Sequence, residues 1–255
     1  MTISLAGEAY VGYLLGSVRI LAWLVVVPPF SSRSFPSSVK VVLALGLAMA
    51  STPALAETQV PMQAFALVVE VVTQVAIGAA MGLVTMILLA AIGAAGSLID
   101  VFGGFSLAQG FDPLSMNSST VFGTFHQLMA TTLLFVTGLH LIVVGGLLKT
   151  FQALPIGESP DLSGGSQVVI SVFEMFFVVA VQIALPVIAV MFMADLGLAL
   201  LTKVAPQLNA INVMFPAKVG LTLLVLGMSF TVLPGALERL VEHVLDAMAA
   251  VAGLG

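Results

Sequence analysis

The chain has 255 residues, 60% of them hydrophobic and 7% charged, with a mean hydropathy of +1.20. A soluble surface needs roughly a quarter charged residues, so a soluble domain is excluded and the composition is that of an α-helical integral membrane protein. Seven basic and twelve acidic residues give a net charge of −5, which speaks against nucleic-acid binding, and the absence of cysteine removes disulfides, thiol nucleophiles and cysteine-bound metals.

Six apolar blocks follow one another, at about 10–29, 38–56, 64–101, 121–149, 166–203 and 211–233. They are continuous rather than alternating, so a transmembrane β-barrel does not fit. The opening MTISLAGEAYVGYLL has Glu8 where a signal peptide carries its basic residues, so the first block is expected to stay. Its Gly12/Gly16 pair, like Gly78/Gly82 in the third block, has the spacing that lets helix backbones approach closely.

The third and fifth blocks would make helices of about 57 Å, against the roughly 30 Å that a bilayer core requires. They must tilt, break, turn back or rise beyond the lipid. Pro186 is expected to kink the fifth, and Gly93 and Gly96 to weaken the end of the third. With six spans, Arg33, Lys40, Lys203 and Lys218 collect on one side. Lys149 and Arg239 collect on the other, among Glu57, Glu158, Asp161, Glu238, Glu242 and Asp246. The positive-inside bias then predicts both termini on the outer side.

Between the third and fourth blocks lies a soft polar stretch, with LAQGFDPLSMNSST at Leu107–Thr120. It falls on the basic side yet carries Asp112 and no cation. Gly103, Gly104 and Gly110 permit sharp turns, and Pro113 biases Asp112 away from helix. Phe105, Leu107 and Phe111 can fill an apolar constriction, while Gln109, Asn117, Ser118 and Thr120 stay wet. The residues fit a segment folded into the protein, where irregular backbone at membrane depth is tolerated. They fit equally a plain loop with an Asp112-Pro113 turn and a Ser118/Ser119 helix cap.

Charges inside the blocks are costly and must face protein or water. Arg19 and Glu70 are expected to form a structural pair; Asp100, Glu174 and Asp195 could line an ion pathway. His126 and His140, fourteen residues apart on one expected helix, would stand about 21 Å apart, too far to share a metal. Neither a nucleotide-binding loop nor a nucleophile–base signature is present. The residues alone leave two readings: a non-enzymatic membrane subunit, or a secondary transporter of a small solute or ion. A membrane enzyme acting on lipids is disfavoured.

Two stretches discriminate. RILAWLVVVPPFSSRSFPSSVKVVLALGLA (Arg19–Ala48) and KVAPQLNAINVMFPAKVGL (Lys203–Leu221), with GFDP at Gly110–Pro113, resemble the FliR family of flagellar and injectisome-type export gates. The resemblance covers nearly the whole chain in order and length. It implies an all-α integral membrane protein of tilted helical hairpins, with a FliP-like part at about 1–160 followed by a FliQ-like part at 161–255. It implies no cofactor and no metal.

The implied partners are FliP-like and FliQ-like subunits, FlhB-like and FlhA-like export components, and unfolded protein substrates. The implied place is the bacterial inner membrane at the flagellar basal body, with the termini periplasmic. The family's channel plug would fall on 103–120, with Gly103, Gly104, Phe105, Leu107, Gln109, Gly110, Phe111, Asp112 and Pro113. The loop with Lys203, Pro206, Gln207, Asn209 and Lys218 would face the cytoplasmic entrance. Arg19, Glu70 and Asp195 would be structural charges within the membrane.

Overall fold

A computed structural model describes residues 2–51, 63–105, 120–158, 160, 164–205 and 210–253. Among the described residues the secondary structure is helical throughout, in seven segments. They are α1 (Thr2–Val26), α2 (Ser37–Ala50), α3 (Ala64–Gly103), α4 (Val121–Val136), α5 (Leu139–Ala153), α6 (Gly165–Val204) and α7 (Ala210–Val251). This is the all-α membrane protein that the composition demands. Backbone groups in lipid have no water to bond, and a helix satisfies them internally.

Helix ends follow local chemistry. Pro36 stands at the N-cap of α2, where a missing N–H costs nothing. Thr120 is extended, with φ −70° and ψ 143°, at the start of α4. Gly138, at φ +76°, separates α4 from α5. A left-handed residue cannot continue a right-handed helix, and glycine adopts that conformation without a Cβ penalty.

Several expected boundaries change. The second block yields a helix of only 14 residues, about 21 Å long and too short to span alone. The fourth block is two helices, so His126 and His140 do not share one. The third and fifth blocks are unbroken helices of 40 residues each; α3 runs through Gly93 and Gly96, and α6 through Pro186. The sixth does not stop near residue 233: α7 continues through Pro234 to Val251. Among the described residues three segments, Ala9–Val26, α3 and α6, are long and apolar enough to cross a membrane, or up to five if each broken pair counts as one span. Six spans were expected.

The chain divides into two compact units. The first comprises Met1–Leu89, Gly138–Glu174 and Val241–Gly255; the second comprises Ala90–Thr137 and Met175–Leu240. In the first unit α1 packs on α2, and Tyr13 Oη donates to the Leu45 carbonyl at 2.9 Å. The α3 backbone comes close to α1 at Gly78 and Gly82. A Cβ at Gly78 would collide with the Arg19 carbonyl, and one at Gly82 would lie 2.9 Å from Val26 Cβ. The close approach expected from that glycine pair is present. Trp23, Ile20, Leu24, Met81, Leu147 and Phe151 fill the core.

In the second unit the end of α3 packs on α4. A Cβ at Gly96 would collide with the Phe122 carbonyl, and one at Gly93 would stand 2.8 Å from Gln127 Oε1. These glycines are contact points rather than weak points. Ile92, Ala95, Ile99, Ile183, Ala184 and Met191 are buried there, whereas Phe177, Leu185, Phe192, Met193 and Leu200 of α6 point outward, as a lipid-facing or subunit-facing helix requires.

Candidate functional site

The polar stretch after the third block has described residues only at its two ends. Leu107, Gln109, Gly110, Phe111, Asp112 and Pro113 lie outside the described residues, as do Pro206, Gln207 and Asn209. The ends themselves are closely held. At the entry, Gly103 is buried so tightly that a Cβ would lie 2.9 Å from the Thr222 side chain. Gly104 follows with φ +84°, beside the stem of Lys218. Phe105 then sets its ring edge-on to Phe122, with centroids 4.8 Å apart.

At the exit, Thr120 is the N-cap of α4, yet its side chain makes no capping hydrogen bond. It is engaged with Ser97 Oγ at 2.8 Å instead. The leading N–H groups of α4 turn to α3: Phe122 N and Gly123 N donate to Asp100 Oδ2 at 2.8 and 3.2 Å. Asp100 is fully buried. Its charge is met by the positive end of a helix, where N–H groups lack intrahelical partners. One turn further, His126 Nδ1 lies 2.9 Å from the Phe122 carbonyl, in the same helix.

Beside the entry stands an ion pair. Lys218 Nζ of α7 donates to Asp195 Oδ2 of α6 at 2.9 Å, with both side chains partly exposed. Thr222, one turn along α7, donates to the Lys218 carbonyl and lies 3.2 Å from Met191 Sδ. Lys218 also borders a cavity of about 400 Å³ between α6 and α7, lined by Ala194, Leu198, Leu201, Ala217 and Leu221 among others. So Gly103, Gly104, Phe105, Asp195 and Lys218 are neighbours around one point of the second unit. Lys203 is exposed in the last turn of α6, where a cation suits the helix dipole.

The charges of the first unit form a separate cluster. Arg19 Nε donates to Gln74 Oε1 at 2.6 Å, and Gln74 Nε2 donates to Glu70 Oε1 at 2.6 Å. Arg19 Nη1 reaches the Leu154 carbonyl at 3.0 Å, freed by the end of α5, and Gly157 N donates to Glu70 at 3.0 Å. The guanidinium lies 4.4 Å from the Phe151 ring centroid. Arg19 and Glu70 are thus joined through a glutamine rather than paired directly. Gln74 was missed, although its position one helical turn from Glu70 was a readable signal. Among the described residues no group of three His, Cys, Asp or Glu side chains could hold a metal ion.

The sequence profile of the bacterial export proteins, family 1, matches residues 10–244. The chain belongs to this family, that of FliR. It is 32% identical over 197 residues to the flagellar biosynthetic protein FliR of Escherichia coli (strain K12), covering 77% of this chain and 76% of the relative. It is 30% identical over 232 residues to FliR of Pectobacterium carotovorum subsp. carotovorum, covering 91% and 89%. It is 27% identical over 212 residues to FliR of Bacillus subtilis (strain 168), covering 79% of each. With its long apolar helices, this FliR-family chain is a membrane-embedded component of the flagellar export apparatus. The family match includes the neck of the 103–120 segment, α6 and most of α7.

Proposed function

We propose that the protein is a non-enzymatic subunit of the flagellar type III export gate in the bacterial inner membrane. With FliP-like and FliQ-like subunits it forms the channel that unfolded flagellar proteins cross. Its first 160 residues or so play the FliP-like part and the remainder the FliQ-like part. Residues 103–120 close the channel at rest. The Lys203–Lys218 region faces the cytoplasmic entrance, near FlhB-like and FlhA-like components, and the termini face the periplasm.

The observation that carries this reading is the family match over residues 10–244. The pinned ends of the 103–120 segment support its closing role, because a plug needs a fixed base. The outward apolar side chains of α6, Phe177, Phe192 and Leu200 among them, suit a surface covered by lipid or neighbouring subunits. The solute-transporter reading loses ground because four of its five candidate charges have partners. Arg19, Glu70, Asp100 and Asp195 each bond within the protein.

Deletion of the gene tests the reading: motility and export of flagellar substrates should be lost, and intact export would overturn it. For the segment, deletion of Gly104–Asp112 should make the assembled gate conduct small ions in planar bilayers. Unchanged conductance would sink the closing role while leaving the export role standing. Crosslinks from the Lys203–Lys218 region should reach cytoplasmic-side components; crosslinks only to periplasmic proteins would invert the topology.

A further inference from the structure

We propose that the groove between α6 and α7 binds one phospholipid with an ethanolamine headgroup. An acyl chain lies in the groove, and the zwitterionic head sits on the Lys218–Asp195 pair. The assignment to the cytoplasmic leaflet rests on the proposed topology; the binding itself does not.

The groove follows from residue spacing. Ala194, Gly197, Leu198 and Leu201 recur at intervals of three and four residues and form one stripe on α6. Ala217 and Leu221 of α7 stand opposite, and the two helices bound about 400 Å³. Small residues keep this space open: a Cβ at Gly197 would meet nothing within 4 Å outside its own stretch of helix. Ligand sites have this size and this make-up, an apolar lining with a few polar groups that orient the occupant. Leu200, Leu201 and Val204 are exposed around it, on a helix long and apolar enough to cross a membrane. A flexible apolar chain suits such a groove better than a compact polar solute.

The polar end is the ion pair. Lys218 lines the groove, and Asp195 accepts from it at 2.9 Å. With 40 residues, α6 is about 60 Å long, twice the roughly 30 Å of a bilayer core. Asp195 lies about 14 Å before the end of α6 at Val204. The pair therefore has room to stand at the wet headgroup level with the groove running along the acyl chains.

Charge selects the headgroup. An ammonium has three donors, and among the described contacts Lys218 gives one, to Asp195. A lipid phosphate takes another. The carboxylate accepts in more than one direction, and a primary ammonium completes it. Phosphoethanolamine carries both groups on one short link. Phosphocholine has no N–H to donate, and quaternary ammonium groups are held by aromatic faces, of which the groove lining has none. Phosphoglycerol offers Asp195 a neutral hydroxyl where phosphoethanolamine offers a cation, and so forgoes the charge attraction.

The test uses the full-length chain in detergent, stripped of lipid. Phosphatidylethanolamine, phosphatidylcholine and phosphatidylglycerol with identical acyl chains are offered in turn, and native mass spectrometry counts what stays bound. One phosphatidylethanolamine per chain should be retained, about tenfold better than the other two, the weight of one hydrogen bond between charged groups. D195N should erase the preference over phosphatidylcholine, and D195E should keep it. K218M should weaken all three lipids, since each carries a phosphate. G197F fills the groove from a position where a side chain meets open space, so it should abolish retention at an unchanged melting temperature.

No retained lipid, or equal retention of the three headgroups, overturns the site. So does a preference that D195N leaves in place, or retention that survives G197F. If D195N gives no folded protein, the preference of the unchanged chain and the loss in G197F decide. In the assembled gate a photo-crosslinking residue in place of Leu201 should label lipid; labelling of a partner subunit alone would show that protein fills the groove and would overturn the site. Crosslinks from the Lys203–Lys218 region to periplasmic proteins only would overturn the leaflet and leave the binding standing.

Discussion

Arg19 in the first unit and Asp100 in the second are both fully buried in an apolar protein, and each charge is met by different means. Arg19 is answered by another ionised side chain, at one remove, through the amide of Gln74. Asp100 accepts instead from the N–H groups that open a helix. The first arrangement joins three elements, since Arg19 also takes the Leu154 carbonyl and Glu70 takes the Gly157 N–H. The second joins two adjacent helices at the base of one segment. A charge pair carried by side chains can be taken apart from either side; a charge held by backbone can be removed only at the carboxylate.

The largest expected effect comes from breaking the first arrangement. E70Q leaves the buried Arg19 without its nearest counter-ion and weakens the two hydrogen bonds that half-buried Glu70 accepts from Gln74 and Gly157, bonds to a charged group that contribute about 1.5–3 kcal/mol each. Thermal unfolding in detergent should show a large drop, with little protein recovered from membranes. The exchange E70Q/Q74E sharpens the comparison. It moves the carboxylate one turn along α3, directly onto Arg19, and leaves an amide to accept from Gly157. Most of the lost stability should return; if the exchange is as unstable as E70Q, the glutamine is not a simple relay.

Next in size is D100A, which removes the acceptor of two amide hydrogen bonds. Hydrogen bonds to a charged group contribute about 1.5–3 kcal/mol each, partly offset because the costly buried carboxylate goes as well. Stability should fall by less than in E70Q, and hydrogen exchange at Phe122 and Gly123 should quicken. No change in exchange at these two amides would break the contrast between the units.

G78V comes third. The added side chain collides with the Arg19 carbonyl, and overpacking typically costs about 1–3 kcal/mol. Because the collision is with the backbone of α1, the melting temperature should fall while the Asp100 amides keep their protection. The smallest effect belongs to the Lys218–Asp195 pair. Both side chains are partly exposed, 20% and 37%, and on the proposed topology they face water, where such pairs contribute about 0–1 kcal/mol. K218M should shift the melting temperature little, and a large shift would place the pair in a dry environment.

Much of this was legible from residue types. A chain this apolar had to be helical and membrane-bound, and the outer limits of α3 and α6 followed from apolar runs, whereas α1 starts at Thr2 and ends at Val26 rather than spanning about 10–29. Arg19 demanded a partner because its charge is expensive in lipid. The length of α7 was misjudged because apolar runs were followed rather than periodicity. Past residue 233 the buried positions Leu237, Leu240, Val241, Val244 and Met248 recur every three or four residues, the pattern of a one-faced helix. The partners of Asp100 were not legible, since backbone N–H groups have no residue signature. Nor was the Phe105–Phe122 contact, which depends on where the chain returns after residue 105. The break at Gly138 had a visible sign, a glycine inside an apolar block, but only the structure fixes its φ.

That break has a consequence for where α4 stands in the bilayer. A helix that stops leaves carbonyl groups without partners, and irregular backbone facing hydrocarbon is not tolerated. At this end Thr137 N and Oγ1 both return to the Leu133 carbonyl, and Thr137 is exposed on the isolated chain. The junction of residues 137 and 138 must therefore lie at headgroup level or beneath a neighbouring subunit. A polarity-sensitive label at Thr137 would serve as a depth gauge, reading wet in the free protein and dry once another subunit has covered it.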